Sequence, residues 1–333
     1  MLRKWIIWSA AGILLLALFL QINLDELYLS LAQIDWKVIG LLLLLQIVTQ
    51  LLLNLQWQRI AVFVGVKLSF WTMFYINAQG SVMESITPGV KVGGEITRGV
   101  QLARLGRCSG STAAVVVVLQ KIFSLSAFAL INIFAAVYLS HRSSILDSSL
   151  SRLIVYTFLG LVLAAFALIL IMPKQLLARI NNKPPVRTWL GAVRRFVENL
   201  LEHIVMFESR KQELVIQFIL ALAIWLLYPL KLYLLTAQVL PDAPLVYITS
   251  ITFISYLVGM LPLFPGGLGG FEGTMSGLLT GIGLSLSSSA AVAVIFRFIT
   301  FWFVIITSLA FTAVYKLAYK NTSQVERMLP NEK

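Results

Sequence analysis

The chain has 333 residues, of which 59% are hydrophobic and 12% are charged, and its mean hydropathy is +0.89. This balance excludes an ordinary soluble domain and predicts an all-α, polytopic integral membrane protein. The formal net charge of +12 comes from cations spread over short loops between apolar runs. That distribution favours basic cytoplasmic loops over nucleic-acid binding. The single cysteine, Cys108, excludes an internal disulfide and a metal site built from several cysteines.

Six apolar runs are long enough to cross a bilayer, which takes about 20 residues in a helix. They cover approximately 5–22, 38–57, 111–139, 152–172, 213–238 and 288–316. The Lys and Arg residues place both termini and the segment 173–212 in the cytoplasm, and they leave 21–36 and 140–151 outside. These loop positions agree with the number of membrane crossings only if the two remaining stretches, 69–107 and 245–285, are re-entrant elements that return to the side they came from. Two ordinary helices at one of these places are the alternative.

Each remaining stretch contains one copy of an eight-residue motif. The string PGVKVGGE at 88–95 recurs as PGGLGGFE at 265–272, with Pro, Gly, Gly and Glu matching at the first, second, sixth and eighth places. A Pro-Gly break followed by an acid is costly inside a membrane unless it lines a cavity. Two such breaks in corresponding halves indicate a transporter built from inverted repeats, here approximately 1–140 and 152–320.

The similarity extends into the helix that follows each motif. Glu95 is followed by an apolar run with Lys121, and Glu272 is followed by an apolar run with Arg297. Each half is therefore predicted to contain a broken element with a carboxylate and then a helix with one cation. Chance similarity between Val-rich helices is the alternative to duplication.

Charges at membrane depth cost about 2.5–3.5 kcal/mol each on insertion scales, so each one needs a partner or water. In one interpretation, Glu95 and Glu272 each pair with a cation, and these ion pairs only join helices. Alternatively, a polar cavity between the halves would use cations and free helix N–H groups to bind a lipid phosphate, and carboxylates to bind an amine or a proton. Glu84 has no counterpart in the second half and is left out of this site.

The predicted substrate-binding residues are those of the two motifs and the cations that follow them. They are Pro88, Gly89, Lys91, Gly93, Glu95, Arg98, Lys121, Pro265, Gly266, Gly267, Gly269, Glu272 and Arg297. The glycines have the alternative role of permitting close helix packing. No catalytic residue, metal ligand or cofactor is predicted, because the sequence has no P-loop, nucleophile elbow or zinc-protease motif.

The cytoplasmic segment 173–212 contains an amphipathic pattern. Apolar residues from Val186 to Ile204 share one helical face, and Arg187, Arg194 and Arg195 lie elsewhere on the helix. This pattern suits a helix bound to the anionic membrane surface, and it equally suits a helix packed beneath the bundle.

At its motifs the chain resembles the transmembrane region of lysylphosphatidylglycerol synthases, a flippase-like domain that also occurs as stand-alone bacterial and archaeal proteins. The matching pieces are 87–95 with Arg98, the Lys121 helix, 262–272 and Arg297. The resemblance implies transfer of a lipid across the membrane. It also implies that lysine attachment belongs to a separate C-terminal domain, which we do not expect here because the chain ends shortly after Lys316. Where the family pattern has acids around the first cation, this chain has Gln120 and Ser124.

The sequence therefore predicts a flippase-like translocase of a phospholipid or lipid-linked substrate in a bacterial or archaeal cytoplasmic membrane. Its predicted partners are a membrane lipid and a separately encoded lipid-modifying enzyme. The alternatives are a membrane scaffold for such an enzyme and a membrane-embedded transferase. Reconstitution with a labelled lipid separates a translocase from a scaffold.

Overall fold

Every regular element in the described part of the chain is a helix, which confirms the predicted all-α class. The structure is a computed structural model, and it describes residues 34–87, 92–140, 172–181, 189–260 and 269–328 with the single residues 32, 160, 164 and 267. The first series comprises α1 (Trp36–Phe63), α2 (Phe70–Ile86), α3 (Val92–Leu105) and α4 (Gly110–Ser140). Helices α5 (Pro173–Asn181) and α6 (Trp189–Ser209) follow. The second series comprises α7 (Lys211–Thr236), α8 (Leu245–Gly259), α9 (Gly270–Thr280), α10 (Leu286–Arg297), a π-helical turn (Phe298–Trp302) and α11 (Phe303–Met328).

Four described helices are long and apolar enough to cross a membrane. They are Trp36–Phe63, Gly110–Ala135, Lys211–Thr236 and Leu286–Ala318, the last of which joins α10, the π turn and α11. They coincide with four of the six predicted spans. The predicted span 5–22, nearly all of the predicted span 152–172 and most of the two predicted external loops lie outside the described residues. The total number of spans and the orientation of the chain therefore stay predictions.

The two stretches that carry the motifs each fold into a pair of short helices. Helices α2 and α3 pack against each other, and so do α8 and α9. These helices have 17, 14, 15 and 11 residues, fewer than the roughly 20 that a bilayer requires. Paired short helices of this kind suit re-entrant elements. Residues 88–91 and 261–266 connect the helices of each pair, and they lie outside the described residues together with residue 268, so part of each motif is not described.

Local sequence explains where several of these helices begin. Asp35, Ser69 and Ser285 precede α1, α2 and α10, and each side chain accepts a hydrogen bond from a backbone N–H of the first turn. Such caps satisfy donors that a helix start leaves unpaired, which matters most where water is scarce.

The two series pack on each other reciprocally. Helix α1 packs on α7, α2 packs on α11, and α8 packs on α4. Helix α8 occupies the position in the second series that α2 occupies in the first, and α11 corresponds in the same way to α4. A two-fold relation between the series would produce these contacts. Duplication of an ancestral half stays a prediction.

Helix α6 packs beneath the bundle, which decides between the two alternatives for its C-terminal part. Phe207 stacks on Phe63 of α1 with ring centroids 3.9 Å apart, and it meets Phe123 of α4 edge-on at 5.5 Å. Leu201 and Ile204 are buried in the same cluster. The amphipathic face therefore serves helix packing in this region.

Candidate functional site

A cavity of about 170 Å³ lies where the two hydrophobic clusters of the bundle meet. Among the described residues, the charged side chains that line the cavity are those of Glu84, Glu95, Arg98, Lys121 and Arg297. The aromatic side chains that line it, again among the described residues, are those of Trp57, Trp225, Tyr228, Tyr256, Phe271 and Phe301. Both helical series thus contribute to one polar space inside an apolar protein.

The charges of the first series form a network centred on Arg98. Its guanidinium contacts Glu95 Oε1 at 2.8 Å and Glu84 Oε2 at 3.3 Å, while Lys121 Nζ contacts Glu95 Oε1 at 2.7 Å. Glu95 therefore bridges two cations. Gly80 makes room for this arrangement, because a Cβ on Gly80 would lie 2.5 Å from Arg98 Nε.

The charges of the second series form a compact pair. Glu272 Oε1 lies 3.0 Å from Arg297 Nε, and Glu272 Oε2 accepts a 2.6 Å hydrogen bond from the backbone N–H of Gly269. One carboxylate thus caps the start of α9 and holds a cation of α10. A carboxylate in the first turn is also favoured by the helix dipole.

Two aromatic rings lie against the Arg297 guanidinium. Its central carbon lies 4.8 Å from the ring centroid of Phe271 and 4.1 Å from that of Phe301. Phe301 belongs to the π-helical turn that begins directly after Arg297. Single π-helical turns frequently mark functional sites, and here the turn supplies a ring to the cavity wall.

The turn before α9 depends on glycine. Gly267 has φ +71°, a region that other residues rarely adopt, and a Cβ there would lie 2.4 Å from the carbonyl oxygen of Gly259. Gly269, whose N–H binds Glu272, has φ +82°. The glycines of the second motif therefore allow the chain to pass close to the end of α8 beside the cavity.

Cations outnumber carboxylates on the described lining of the cavity. Arg98, Lys121 and Arg297 face two acids, while Glu272 supports Arg297 without lining the cavity. Two buried acceptors, Glu95 Oε2 and Gln120 Oε1, have no hydrogen-bond partner among the described residues. With Glu272 included, three carboxylates balance the three cations, so the cavity is marked by cations that converge from both series and by buried acceptor oxygens.

The structure brings together part of the predicted site. Glu95, Arg98, Lys121, Gly267 and Arg297 line the cavity. Of the other predicted residues, Gly93 packs against Thr87, and Gly269 and Glu272 support the second pair. Pro88, Gly89, Lys91, Pro265 and Gly266 lie outside the described residues.

Sequence analysis missed two features of the first cluster. Glu84, which was left out of the site, lines the cavity and pairs with Arg98. Lys121, beside which the sequence has Gln120 and Ser124 in place of acids, pairs with Glu95 of α3. Both contacts form only when α2, α3 and α4 pack together, so the spacing of these residues in the chain gives no signal.

Comparisons with known proteins agree with a membrane location. A family model described as "Lysylphosphatidylglycerol synthase TM region" matches residues 5–308. A "UPF0104 membrane protein" of Methanothermobacter thermautotrophicus is 27% identical over 326 residues, which cover 91% of this chain and 93% of the relative. A second "UPF0104 membrane protein", from Methanocaldococcus jannaschii, is 22% identical over 310 residues, with 90% and 91% covered.

Proposed function

The chain belongs to the family of the lysylphosphatidylglycerol synthase TM region, and on that premise we propose that it moves a lipid with an anionic headgroup between the leaflets of a bacterial or archaeal cytoplasmic membrane. One observation carries the proposal. Cations from both helical series, Arg98, Lys121 and Arg297, converge on a single cavity. Ion pairs that served only to join helices would gain nothing from a polar space beside them.

The lipid phosphate would bind between the two clusters. Arg297 is the strongest candidate ligand, because a guanidinium presents a planar fork of donors that matches phosphate oxygens. Lys121 complements it as a mobile point charge, since 31% of its side chain is exposed against 8% for Arg297. Glu95 Oε2, which lacks a described hydrogen-bond partner, would accept an amine or a proton.

The lining of the cavity suits a polar headgroup, because charged side chains of both helical series face it. In this proposal the headgroup crosses through the cavity while the chains remain in the surrounding bilayer. This division requires no large apolar tunnel through the protein.

In this proposal the chain is a transporter, and its partner is a separately encoded lipid-modifying enzyme. The cavity side chains that we invoke bind charge, and the proposal assigns no nucleophile or leaving group to them. Such an enzyme would supply the lipid on one side, and this chain would deliver it to the other.

Reconstitution tests the proposal directly. The full chain is placed in phosphatidylcholine vesicles with a trace of fluorescent phosphatidylglycerol, and dithionite quenches the label in the outer leaflet. We expect the protein to make the inner-leaflet label accessible, so that quenching proceeds from about half to nearly complete. Quenching no faster than in protein-free vesicles counts against the proposal and favours a scaffold.

A matched pair of double variants tests the site. Glu272→Gln with Arg297→Gln removes one ion pair at the cavity, and Glu213→Gln with Arg59→Gln removes another between α1 and α7. We expect the first to abolish lipid movement and the second to retain it. Equal activity of the two folded variants would mean that the cavity is not the route.

A further inference from the structure

Lys231 lies in an environment unlike that of the other buried cations. It is fully buried in an apolar part of α7, five residues before the end of that helix, and a charge at membrane depth costs about 2.5–3.5 kcal/mol on insertion scales. Arg98 and Arg297, the other buried cations of the described residues, each contact a carboxylate. None of the described ion pairs includes Lys231. Helix packing alone gives no reason for this cation, because an apolar residue of similar size would avoid its cost.

Neutral groups surround the Lys231 amine. Its Nζ donates to Gln46 Oε1 and to Thr49 Oγ1 of α1, the latter at 3.1 Å, and it lies 4.3 Å from the ring centroid of Tyr228. Two oxygens and an aromatic face stabilise an ammonium without neutralising it. These groups stabilise the ammonium less than a carboxylate would. The charged and neutral forms of the amine are therefore closer in free energy than they would be beside a carboxylate.

Gln46 suits both protonation states of this amine. A glutamine amide presents an acceptor on one side and a donor on the other, and rotation exchanges them. Its oxygen accepts from an ammonium, and its NH₂ donates to a neutral amine. Gln46 Nε2 is buried with no hydrogen-bond partner among the described residues, so no described hydrogen bond of this NH₂ opposes the rotation. Lysine can release its proton inside a protein, whereas arginine does not.

The lysine site borders the cavity wall. Tyr228, whose ring covers the amine, lines the cavity, and so does Gln50, one helical turn after Gln46. Of the helices packed on α7, α1 presents the uncharged Gln46 and Thr49 to the amine. From α8, Tyr256 contacts Tyr228 at 5.1 Å, while Lys121 of α4 and Arg297 of α10 face the cavity beyond. Among the described residues of α6, no titratable group contacts Lys231.

From this arrangement we infer that Lys231 is a proton-binding site that couples lipid movement to a proton gradient, an inference that rests on the proposed function. The reaction is proton transfer alone: the amine takes up a proton to become an ammonium and later releases it. An anionic headgroup in the adjacent cavity stabilises the ammonium, so headgroup and proton each favour binding of the other. The headgroup and the proton therefore cross together.

The transport test uses the vesicles described above with an imposed pH gradient. We expect the gradient to change the rate of movement of fluorescent phosphatidylglycerol severalfold in the wild type. The ratio of rates with and without the gradient should fall to one in Lys231→Met and also in Lys231→Arg, which keeps a permanent charge. Lys211→Met, an exposed change on the same helix, should keep the wild-type ratio. A wild type that moves lipid at a rate independent of the gradient, or a Lys231→Arg variant that responds like the wild type, overturns the inference and leaves the proposed function intact.

A second measurement is independent of transport. Melting temperatures of the purified wild type, Lys231→Met and Lys211→Met are compared in detergent between about pH 6 and pH 9, a range in which an unfolded lysine stays protonated. If the buried amine releases its proton in this range, the folded state binds fewer protons than the unfolded one. The wild type then gains stability relative to Lys231→Met as the pH rises. A constant difference means that Lys231 is a permanent cation, whether or not the vesicles show lipid movement.

Discussion

The two charged clusters at the cavity are built on different plans. In the first series, Glu95 is shared between Arg98 and Lys121, and Arg98 also contacts Glu84. In the second series, Glu272 divides its two oxygens between Arg297 and the start of α9. A shared carboxylate allows one cation to leave while the other stays paired. A carboxylate that also caps a helix holds its cation in place, so we expect the second cluster to be the fixed anchor and the first to be adjustable.

The largest expected effect comes from removing the anchor's acid. Glu272→Gln leaves the buried Arg297 without this carboxylate, and breaking a buried ion pair typically costs about 3–5 kcal/mol. We expect a sharp loss of folded protein in detergent, and recovery of the folded yield in the double change with Arg297→Gln, which removes both charges. Lipid movement should not recover in the double variant.

Glu213→Gln is the control, since its partner Arg59 is partly exposed, whereas Arg297 is buried. Loss of folded protein as large as that of Glu272→Gln would remove the distinction between an anchoring pair and an ordinary one. If the double variant Glu272→Gln with Arg297→Gln regains both folding and full lipid movement, the second cluster has only a structural role.

A smaller loss is expected from the turn that supports the anchor. Gly267→Ala places a Cβ 2.4 Å from a carbonyl oxygen at a positive φ, which costs at least about 2 kcal/mol. Gly277→Ala is the matched control within α9, where a Cβ meets nothing within 4 Å. Alanine there should be neutral or stabilising by up to about 1 kcal/mol. Equal melting temperatures for the two variants would show that the turn tolerates a side chain.

The sequence predicted the order of the helices better than it predicted the contacts within the site. Long apolar runs and two Pro-Gly motifs reveal spanning helices and interruptions, because each is a local property of the chain. The pairing of Glu95 and Glu272 with cations was likewise predictable, since a buried acid needs a partner. The role of Glu84 was not, because its contact with Arg98 depends on the angle at which α2 and α3 fold together.

The buried lysine shows the same limit. Lys231 stands out in the sequence as a cation within an apolar run, but its partners, Gln46 and Thr49, precede it by more than 180 residues. Neutral polar residues occur throughout membrane helices, so neither partner carries a signal in the sequence. Only the packing of α1 on α7 reveals that uncharged groups surround the amine.

A third prediction compares acids within the adjustable cluster. Glu95→Gln weakens the pairing of both Arg98 and Lys121, whereas Glu84→Gln leaves Arg98 with Glu95. Removing a partner of a buried charged group costs about 1–3 kcal/mol. We expect Glu84→Gln near the lower end of this range and Glu95→Gln near the upper end, both measured by thermal melting. A larger loss for Glu84→Gln would make Glu84 the centre of the network and contradict the role assigned to Glu95.

The smallest effect concerns the shape of the anchoring cation. Arg297→Lys keeps the charge beside Glu272 but replaces a planar fork, which lies against Phe271 and Phe301, with a compact ammonium. We expect a melting temperature near that of the wild type and lipid movement slower by about tenfold, which corresponds to about 1.4 kcal/mol. In the adjustable cluster, Lys121→Arg should change the rate far less, because Lys121 acts there as a point charge. If the two exchanges slow lipid movement equally, the fork of Arg297 does not bind the headgroup, and the two clusters contribute only charge to the cavity.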